Sequence, residues 1–113
     1  MSTIFHIALP EDLADAEREG TYDMSTRDVT LGEQGYIHAS ANAAQVEMVR
    51  LAIYDDRDDL VLLELDTDEL AEVGLTVAME PGDPEDPDSD LFPHIYGGVI
   101  PFRLLHRIEW PTR

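Results

Sequence analysis

Two five-residue segments of this chain carry the same pattern of side chains that bind ligands or take part in reactions. Residues 36–40 and 92–96 both read aromatic residue, any residue, histidine, any residue, hydroxyl residue. Alternate side chains of a β-strand share one of its faces. The side chains predicted to share a face are Tyr36, His38 and Ser40 in the first segment and Phe92, His94 and Tyr96 in the second. Rings, imidazoles and hydroxyls on one face indicate a groove that holds a polar, partly aromatic ligand.

Each candidate also has a structural interpretation that the sequence leaves open. His38 fits a buried histidine bonded to a backbone carbonyl, with Ser40 as the N-cap of the following helix. The second segment fits a kinked edge strand, because Pro93 has no N–H to donate to a neighbouring strand. His6 lies between two apolar residues and fits a satisfied core histidine, while Glu80 fits a solvated strand end.

The composition restricts the classes of function. The chain has 113 residues, enough for one domain spanning 1–113. It has no cysteine, which excludes thiol nucleophiles, cysteine zinc sites and disulfides. Its net charge is −18, and all seven basic residues are arginine. Such a surface repels phosphate backbones and anionic lipid, so we expect a small-molecule ligand and neither nucleic acid nor a membrane as partner.

Short-range motifs point away from metal binding and export. No HxxxH or HExxH spacing occurs, so no metal is expected, and a metal-dependent hydrolase is only a further alternative. The first residues lack the basic region and the apolar run of a signal peptide. No stretch approaches the roughly 18 apolar residues of a membrane span, so a cytoplasmic location is expected.

The elements that must position these residues alternate between strands and helices. The expected strands are 3–8, 36–40, 60–65, 75–79, 91–96 and 102–110. The expected helices are 10–20, 41–54 and a short one over 66–74, the last two starting with capping boxes at Asn42/Gln45 and Asp66/Glu69. Residues 21–34 and 80–90 are expected to be loops. This order predicts an α+β fold with a mixed or antiparallel split β-sheet, two or three short helices and late strands that pair antiparallel.

Five pieces of the chain resemble a small bacterial family known as domain of unknown function 952. They are 4–7 (IFHI), 35–40 (GYIHAS), 59–63 (DLVLL), Glu80 and 92–97 (FPHIYG). The pieces span nearly the whole chain, and the two histidine-containing motifs are fairly specific when they occur together.

That family is similar to the ADP-ribosyltransferase-like superfamily, which implies a cleft between two small sheets. By this resemblance, His6 matches the first-strand position that grips NAD. His38 with Ser40 matches the mid-chain His-x-Ser motif that also contacts NAD. Glu80 and His94 compete for the third position, which assists the transfer.

The resemblance implies chemistry at the nicotinamide–ribose bond of NAD, as in an ADP-ribosyl transferase or an NAD glycohydrolase. Tyr22, Tyr36 or Tyr96 would stack on the nicotinamide ring. Arg27 or Arg103 would supply a phosphate clamp. The alternative is a non-catalytic module on the same fold that binds a small ligand or a protein.

Overall fold

The computed structural model describes residues 2–83 and 85–110 and has an α+β fold. The strands are β1 (Thr3–Ala8), β2 (Thr21–Tyr22), β3 (Met24–Thr26), β4 (Val29–Thr30), β5 (Ile37–His38), β6 (Val61–Asp66), β7 (Thr76–Pro81), β8 (Leu91–Tyr96), β9 (Ile100–Pro101) and β10 (His106–Ile108). The helices are α1 (Pro10–Glu19), α2 (Leu31–Gln34), α3 (Ala43–Ile53), α4 (Thr67–Glu72) and a short 3-10 helix, Phe102–Leu104. The predicted α+β class is confirmed, with four α-helices in the described part of the chain where two or three were expected.

Two three-stranded sheets dominate the fold, and every strand pairing within them is antiparallel. The first sheet has the order β1–β6–β10, and the second has the order β5–β8–β7. The sheets meet where Phe5 and Ser40 exchange two backbone hydrogen bonds of 2.8 and 2.7 Å. The predicted splitting of the sheet is therefore present, and the junction lies beside the first histidine motif.

The central strand β6 is buried on both faces, as its apolar sequence predicts. Leu63 and Leu65 pack into a core cluster that also contains Ile37 and Ile95 from the second sheet. Leu62 points to the other face and joins a second cluster with Val46 and Val49 of α3 and Phe92 of β8. The second sheet contributes to both clusters, so its packing against the first sheet and α3 fixes the surroundings of the histidines.

Helix α1 ends as its sequence predicts, and α3 is shorter than expected. Gly20 caps α1 in the left-handed conformation with φ 83°, which only glycine adopts without strain. At α3 the Asn42 side chain accepts a bond from the Gln45 backbone N–H, but the Gln45 side chain accepts from Ala41 N–H instead. The predicted capping box is therefore only half formed. The backbone of Asn42 is extended rather than helical, so α3 starts at Ala43.

The predicted capping box of α4 is absent. The Asp66 side chain accepts from the backbone N–H of Asp68 rather than closing a box with Glu69. The Glu69 carboxylate instead accepts a hydrogen bond from Nε2 of His106, 3.0 Å away on β10. A tertiary contact thus uses the Glu69 side chain, which the sequence motif predicted to cap the start of α4.

Three predicted boundaries are wrong for physical reasons. Residues 21–34 contain β2, β3, β4 and α2 rather than one loop, because their two- and three-residue strands pair partly with distant β9. Residues 102–110 hold a 3-10 turn before the short β10, so they are not one strand. The 36–40 strand reduces to Ile37–His38, because Ser40 leaves the second sheet to pair with Phe5.

Pro93 lies in a central strand, so the edge-strand interpretation is wrong. Strand β8 has β5 on one side and β7 on the other. The Pro93 carbonyl accepts from Ala39 N–H at 2.9 Å, just beyond the end of β5. The missing proline N–H therefore costs the sheet one hydrogen bond at a point where the ladder is already ending.

No helix among residues 2–83 and 85–110 has the length and apolar character needed to cross a membrane.

Candidate functional site

One face of the second sheet carries the two histidine motifs side by side. His38 lies directly opposite His94 in the β5–β8 ladder, and Glu80 lies opposite Phe92 in the β7–β8 ladder. The side chains on this face are Tyr36, His38, Glu80, Phe92, His94 and Tyr96. The intervening residues Ile37 and Ile95 point into the core. The strand alternation read from the sequence is therefore realised at these positions.

Glu80 anchors the outer end of this face through one carboxylate oxygen. Its Oε1 accepts from Nδ1 of His94 at 2.9 Å and from the Tyr96 hydroxyl at 2.5 Å. These bonds, the tyrosine's first, hold the pKa of the Glu80 carboxyl below its usual range. The same contact raises the pKa of Tyr96 to about 12. An ionised carboxylate only accepts, so the His94 ring carries a proton on Nδ1.

His38 continues the chain of polar contacts inward and ends it on an unpartnered nitrogen. Its Nδ1 lies 3.4 Å from Nε2 of His94, a long hydrogen bond. Within the described residues, Nε2 of His38 is buried and has no hydrogen-bond partner. Burial, together with nearby His6 and His94, lowers the pKa of His38 to about 4. The ring is therefore neutral near pH 7.

His6 is held by protein groups at both ring nitrogens. Nε2 lies 2.7 Å from the Tyr22 hydroxyl, and Nδ1 lies 2.6 Å from the backbone oxygen of His38. A carbonyl only accepts, so Nδ1–H donates to His38, and Nε2 of the neutral ring accepts from Tyr22. Burial lowers the pKa of His6 to about 4 and raises that of Tyr22 well above its usual value. This pair supports the strand that carries His38.

The tyrosines expected to stack on a ligand already contact protein rings. Tyr36 stacks on His94 with 3.9 Å between ring centroids and an interplanar angle of 15°. Tyr96 lies beside Tyr36 with a centroid separation of 5.6 Å. Tyr22 is buried against His6. In this arrangement the aromatic side chains order the imidazoles.

Two cavities share His38 as a wall. The smaller has a volume of about 10 Å³, about the room that one water molecule needs. Its polar lining residues are His6, Ser25, Thr26, His38, Ser40 and Tyr54. The larger is an open groove of about 360 Å³ between α3 and the segment after β7. It is lined by Met48, Val49, Ala52 and Ile53 of α3, by Gly82, Asp83, Ser89 and Asp90 of that segment, and by His38 and Phe92. We call it the His38 groove.

The structure divides the predicted site residues into two groups. His38, His94, Glu80 and their tyrosine neighbours form one connected cluster whose inner end reaches the His38 groove. His6, Tyr22 and Ser40 lie behind that cluster, and all three are buried. Of the predicted phosphate-binding arginines, Arg27 pairs with Asp56 and donates to the Ile53 carbonyl of the groove wall. Arg103 is exposed on the 3-10 helix.

The sequence did not point to the residues of α3 and of the segment after β7 that line the groove. Met48 and Ala52 are four residues apart and share one side of α3. Met48 is 47 % exposed although it is a large apolar residue. An apolar stripe on the outer side of a helix was the available signal, but it indicates a groove only once the facing segment is known. Among the described residues, no group of three or more histidine or acidic side chains is arranged to hold a metal ion.

Comparison with known proteins identifies the family and leaves the function open. The fold is similar to that of protein CC0527 from Caulobacter crescentus, a structural genomics target with an X-ray crystal structure. The TM-score is 0.70 at 20% sequence identity, and the match covers 92% of this chain and 81% of that chain. No curated protein matches this chain. The profile of a family described as protein of unknown function (DUF952) matches residues 7–106, so the chain belongs to that family.

Proposed function

We propose that this protein binds NAD through its nicotinamide riboside half in the His38 groove and acts at the nicotinamide–ribose bond. The observation that carries the proposal is that Nε2 of His38, a residue that lines that groove, is buried and unpartnered. Buried polar atoms are nearly always bonded, so an exception beside a groove favours a ligand or a bound water as its partner. The resemblance to ADP-ribosyltransferase-like proteins is what suggests NAD as the ligand.

The groove suits a planar, positively charged group. Met48 and Phe92 supply apolar surface, and Asp83 and Asp90 add two carboxylates. The nicotinamide ring of NAD is a pyridinium cation, so it meets both requirements. A volume of about 360 Å³ lies at the lower end of the usual range for ligand sites. It accommodates one nucleoside half rather than the whole dinucleotide.

The pyrophosphate of NAD would lie at the end of the groove near Arg27. The Arg27 guanidinium donates to the Ile53 carbonyl and to Asp56, so a phosphate there would compete with the aspartate. The rest of the surface repels phosphate, because the chain carries a net charge of −18. The expected affinity is therefore modest and depends on salt.

The reaction would need one general base and carboxylates close to the ribose. When the bond between ribose C1′ and the pyridinium nitrogen breaks, its electron pair neutralises the ring, and positive charge develops on the ribose. Nearby Asp83 and Asp90 would stabilise that charge. An acceptor hydroxyl or water attacks C1′ and gives its proton to Nε2 of His38. Nicotinamide leaves as a neutral molecule, so no further reactant is needed for hydrolysis.

A non-catalytic binding module is the second candidate, and one observation favours it. Burial lowers the pKa of His38 to about 4, which makes the isolated imidazole a weak base at neutral pH. A histidine of this kind serves well as a hydrogen-bond acceptor for a bound ligand. On this reading the groove keeps its binding role without the bond cleavage.

Calorimetric titration with NAD and with ADP-ribose, combined with chromatography for released nicotinamide, tests both candidates. We expect NAD to bind and ADP-ribose to bind more weakly, because it lacks the cationic ring. His38→Ala should lower the affinity for NAD about tenfold or more. The matched control is His106→Ala, which removes an exposed histidine from β10. NAD binding without nicotinamide release in any condition leaves only the module, and no binding of either compound removes the NAD-directed function.

A further inference from the structure

Three side chains, one from each strand of the second sheet, form a line of hydrogen bonds across that sheet. Glu80 on β7 accepts from Nδ1 of His94 at 2.9 Å, and Nε2 of His94 lies 3.4 Å from Nδ1 of His38. The line starts at a carboxylate whose side chain is 39% exposed and ends at the buried Nε2 of His38. With both rings neutral, the direction of its bonds follows from the Glu80 carboxylate, which only accepts.

We propose that Glu80 and His94 form a proton relay that serves His38, so that Nε2 of His38 changes from acceptor to donor when the relay gains one proton. The inference rests on the proposed role of His38 in the groove, and it deepens that role. His94 and Glu80 act through His38 and are positioning residues, because neither lines the His38 groove.

The proton balance of the relay is complete within the three side chains. In the resting state, His94 donates through Nδ1 to Glu80 and accepts at Nε2 from Nδ1–H of His38. This leaves a lone pair on Nε2 of His38. When a ligand hydroxyl or water gives its proton to that nitrogen, the proton on Nδ1 of His38 moves to Nε2 of His94. The result is a neutral His38 with its hydrogen on Nε2 and an imidazolium at His94 beside the Glu80 carboxylate.

The surroundings favour the positive charge at His94 rather than at His38. The Glu80 carboxylate is in direct contact with His94, and the Tyr36 ring stacks on the imidazole at 3.9 Å, where a cation is attracted to the ring face. Among the described residues, no carboxylate is hydrogen-bonded to His38, and burial opposes its charging. The titratable groups around the two rings are His6 from β1, Tyr36 before β5, Tyr54 after α3, Glu80 from β7, Tyr96 from β8, and Asp83 and Asp90 from the segment after β7.

The relay also defines what the ligand must present. In the resting state, Nε2 of His38 only accepts, so the atom that meets it must carry a hydrogen. A hydroxyl, an amide N–H or an attacking water meets this requirement, while a phosphate or carboxylate oxygen does not. The acidic lining of the groove selects against the same anions through charge.

Nitrogen-15 NMR of the histidine rings in the ligand-free protein tests the relay, because two-bond nitrogen–hydrogen correlations distinguish both neutral tautomers from the imidazolium. Near about pH 8, we expect His38 to carry its hydrogen on Nδ1. As the pH falls, His94 should become an imidazolium, and His38 should move its hydrogen to Nε2 with the same midpoint. Glu80→Gln keeps an oxygen that accepts from His94 and Tyr96 but removes the charge, so it should shift that joint midpoint to lower pH.

Two results would overturn the relay. One is a His38 ring that carries its hydrogen on Nε2 from the start or keeps its tautomer while His94 gains a proton. The other is a Glu80→Gln protein with an unchanged midpoint. The first result is read from wild-type spectra alone. The proposal can therefore be contradicted even if the Glu80→Gln protein does not fold. His106→Gln is the control and should change neither ring. Since no ligand is added, failure to bind NAD removes the proposed function without touching this measurement.

Discussion

The hydroxyl of Tyr22 and Nε2 of His6 form a buried hydrogen bond of 2.7 Å that joins β2 to β1. The tyrosine O–H donates to this nitrogen, so the hydrogen of the neutral imidazole lies on Nδ1. That hydrogen is donated to the backbone oxygen of His38 at 2.6 Å. A tyrosine remote from the groove thus fixes the tautomer of one histidine and, through it, the strand position of another.

Replacing Tyr22 with phenylalanine should therefore destabilise the fold. The change leaves Nε2 of His6 buried without a donor, and an unsatisfied buried polar group costs about 1–3 kcal/mol. Urea unfolding of the purified variant measures this loss. Tyr36→Phe is the matched control, because it removes a hydroxyl bonded to exposed Gln34 and should cost less than about 0.5 kcal/mol. Equal losses in the two variants would mean that the buried bond has no special role.

The free energy of unfolding should fall as the pH drops from about 6.5 to about 4. Burial lowers the pKa of His6 from 6.5 to about 4 in the folded protein. Between these values the unfolded chain binds more protons than the folded one, so acid favours unfolding. Because one pKa unit corresponds to about 1.4 kcal/mol, His6 alone accounts for a loss of up to about 3 kcal/mol. His38 shifts in the same direction and adds to it.

Urea titrations at several pH values across this window measure the effect. His6→Gln has no group that titrates there, so its stability should depend less on pH even if it is lower overall. His106→Gln removes an exposed histidine that pairs with Glu69 and should keep the wild-type slope. A wild-type stability that is flat over the window would show that the buried imidazoles do not remain neutral.

The local part of this architecture can be read from the sequence, because it depends on short-range patterns. Alternation over 92–96 gives the face of β8, and a proline followed by a glycine ten residues later bounds α1. The apolar run over 60–65 identifies the central strand because few other environments tolerate it. In each case the residues concerned determine their own conformation, and tertiary contacts only reinforce it.

The rest could not be read, because it depends on contacts between distant residues. Strand β2 exists because Tyr22 pairs with Ile100. A two-residue segment carries no sequence pattern from which such a distant partner could be predicted. Pro93 argues against a central strand until the position of Ala39 shows where the ladder ends. The His38 groove needs α3 and the segment after β7 to face each other. Because these two segments are far apart in the sequence, their facing each other could not be predicted, although each histidine could be identified.

Replacing Gly82 with alanine should disturb the groove directly. A Cβ at this position would lie 2.7 Å from two atoms of the Phe92 ring, which is closer than real contacts allow. The ring would have to move, and it packs beside His38 with 5.2 Å between centroids. We expect a loss of about 1–3 kcal/mol in stability from overpacking, together with weaker NAD binding in calorimetry.

Gly32→Ala provides the control for this change. Its new methyl group would meet only the Thr30 side chain at 3.8 Å, and the position lies in α2 away from the groove. Alanine favours a helix over glycine by about 0.5–1 kcal/mol, so this variant should be as stable as the wild type or slightly more stable. If NAD binding weakens equally in both variants, the Phe92 wall does not shape the site.

Added salt should raise the melting temperature, because two electrostatic effects oppose each other and the repulsive one is larger. Arg57 bridges Glu11 and Asp59, and screening weakens this exposed network. Such surface pairs contribute little, however, about 0–1 kcal/mol each. The repulsion among 25 acidic residues against seven basic ones is spread over the whole folded surface. This repulsion is relieved when the Debye length falls from about 20 Å to below about 5 Å.

Thermal unfolding in sodium chloride between about 20 mM and about 500 mM measures the balance between the two effects. Arg57→Gln should show a steeper rise than the wild type, since it lacks the attractive contacts that salt weakens. A melting temperature that falls with salt would mean that the ion pairs outweigh the self-repulsion of the chain.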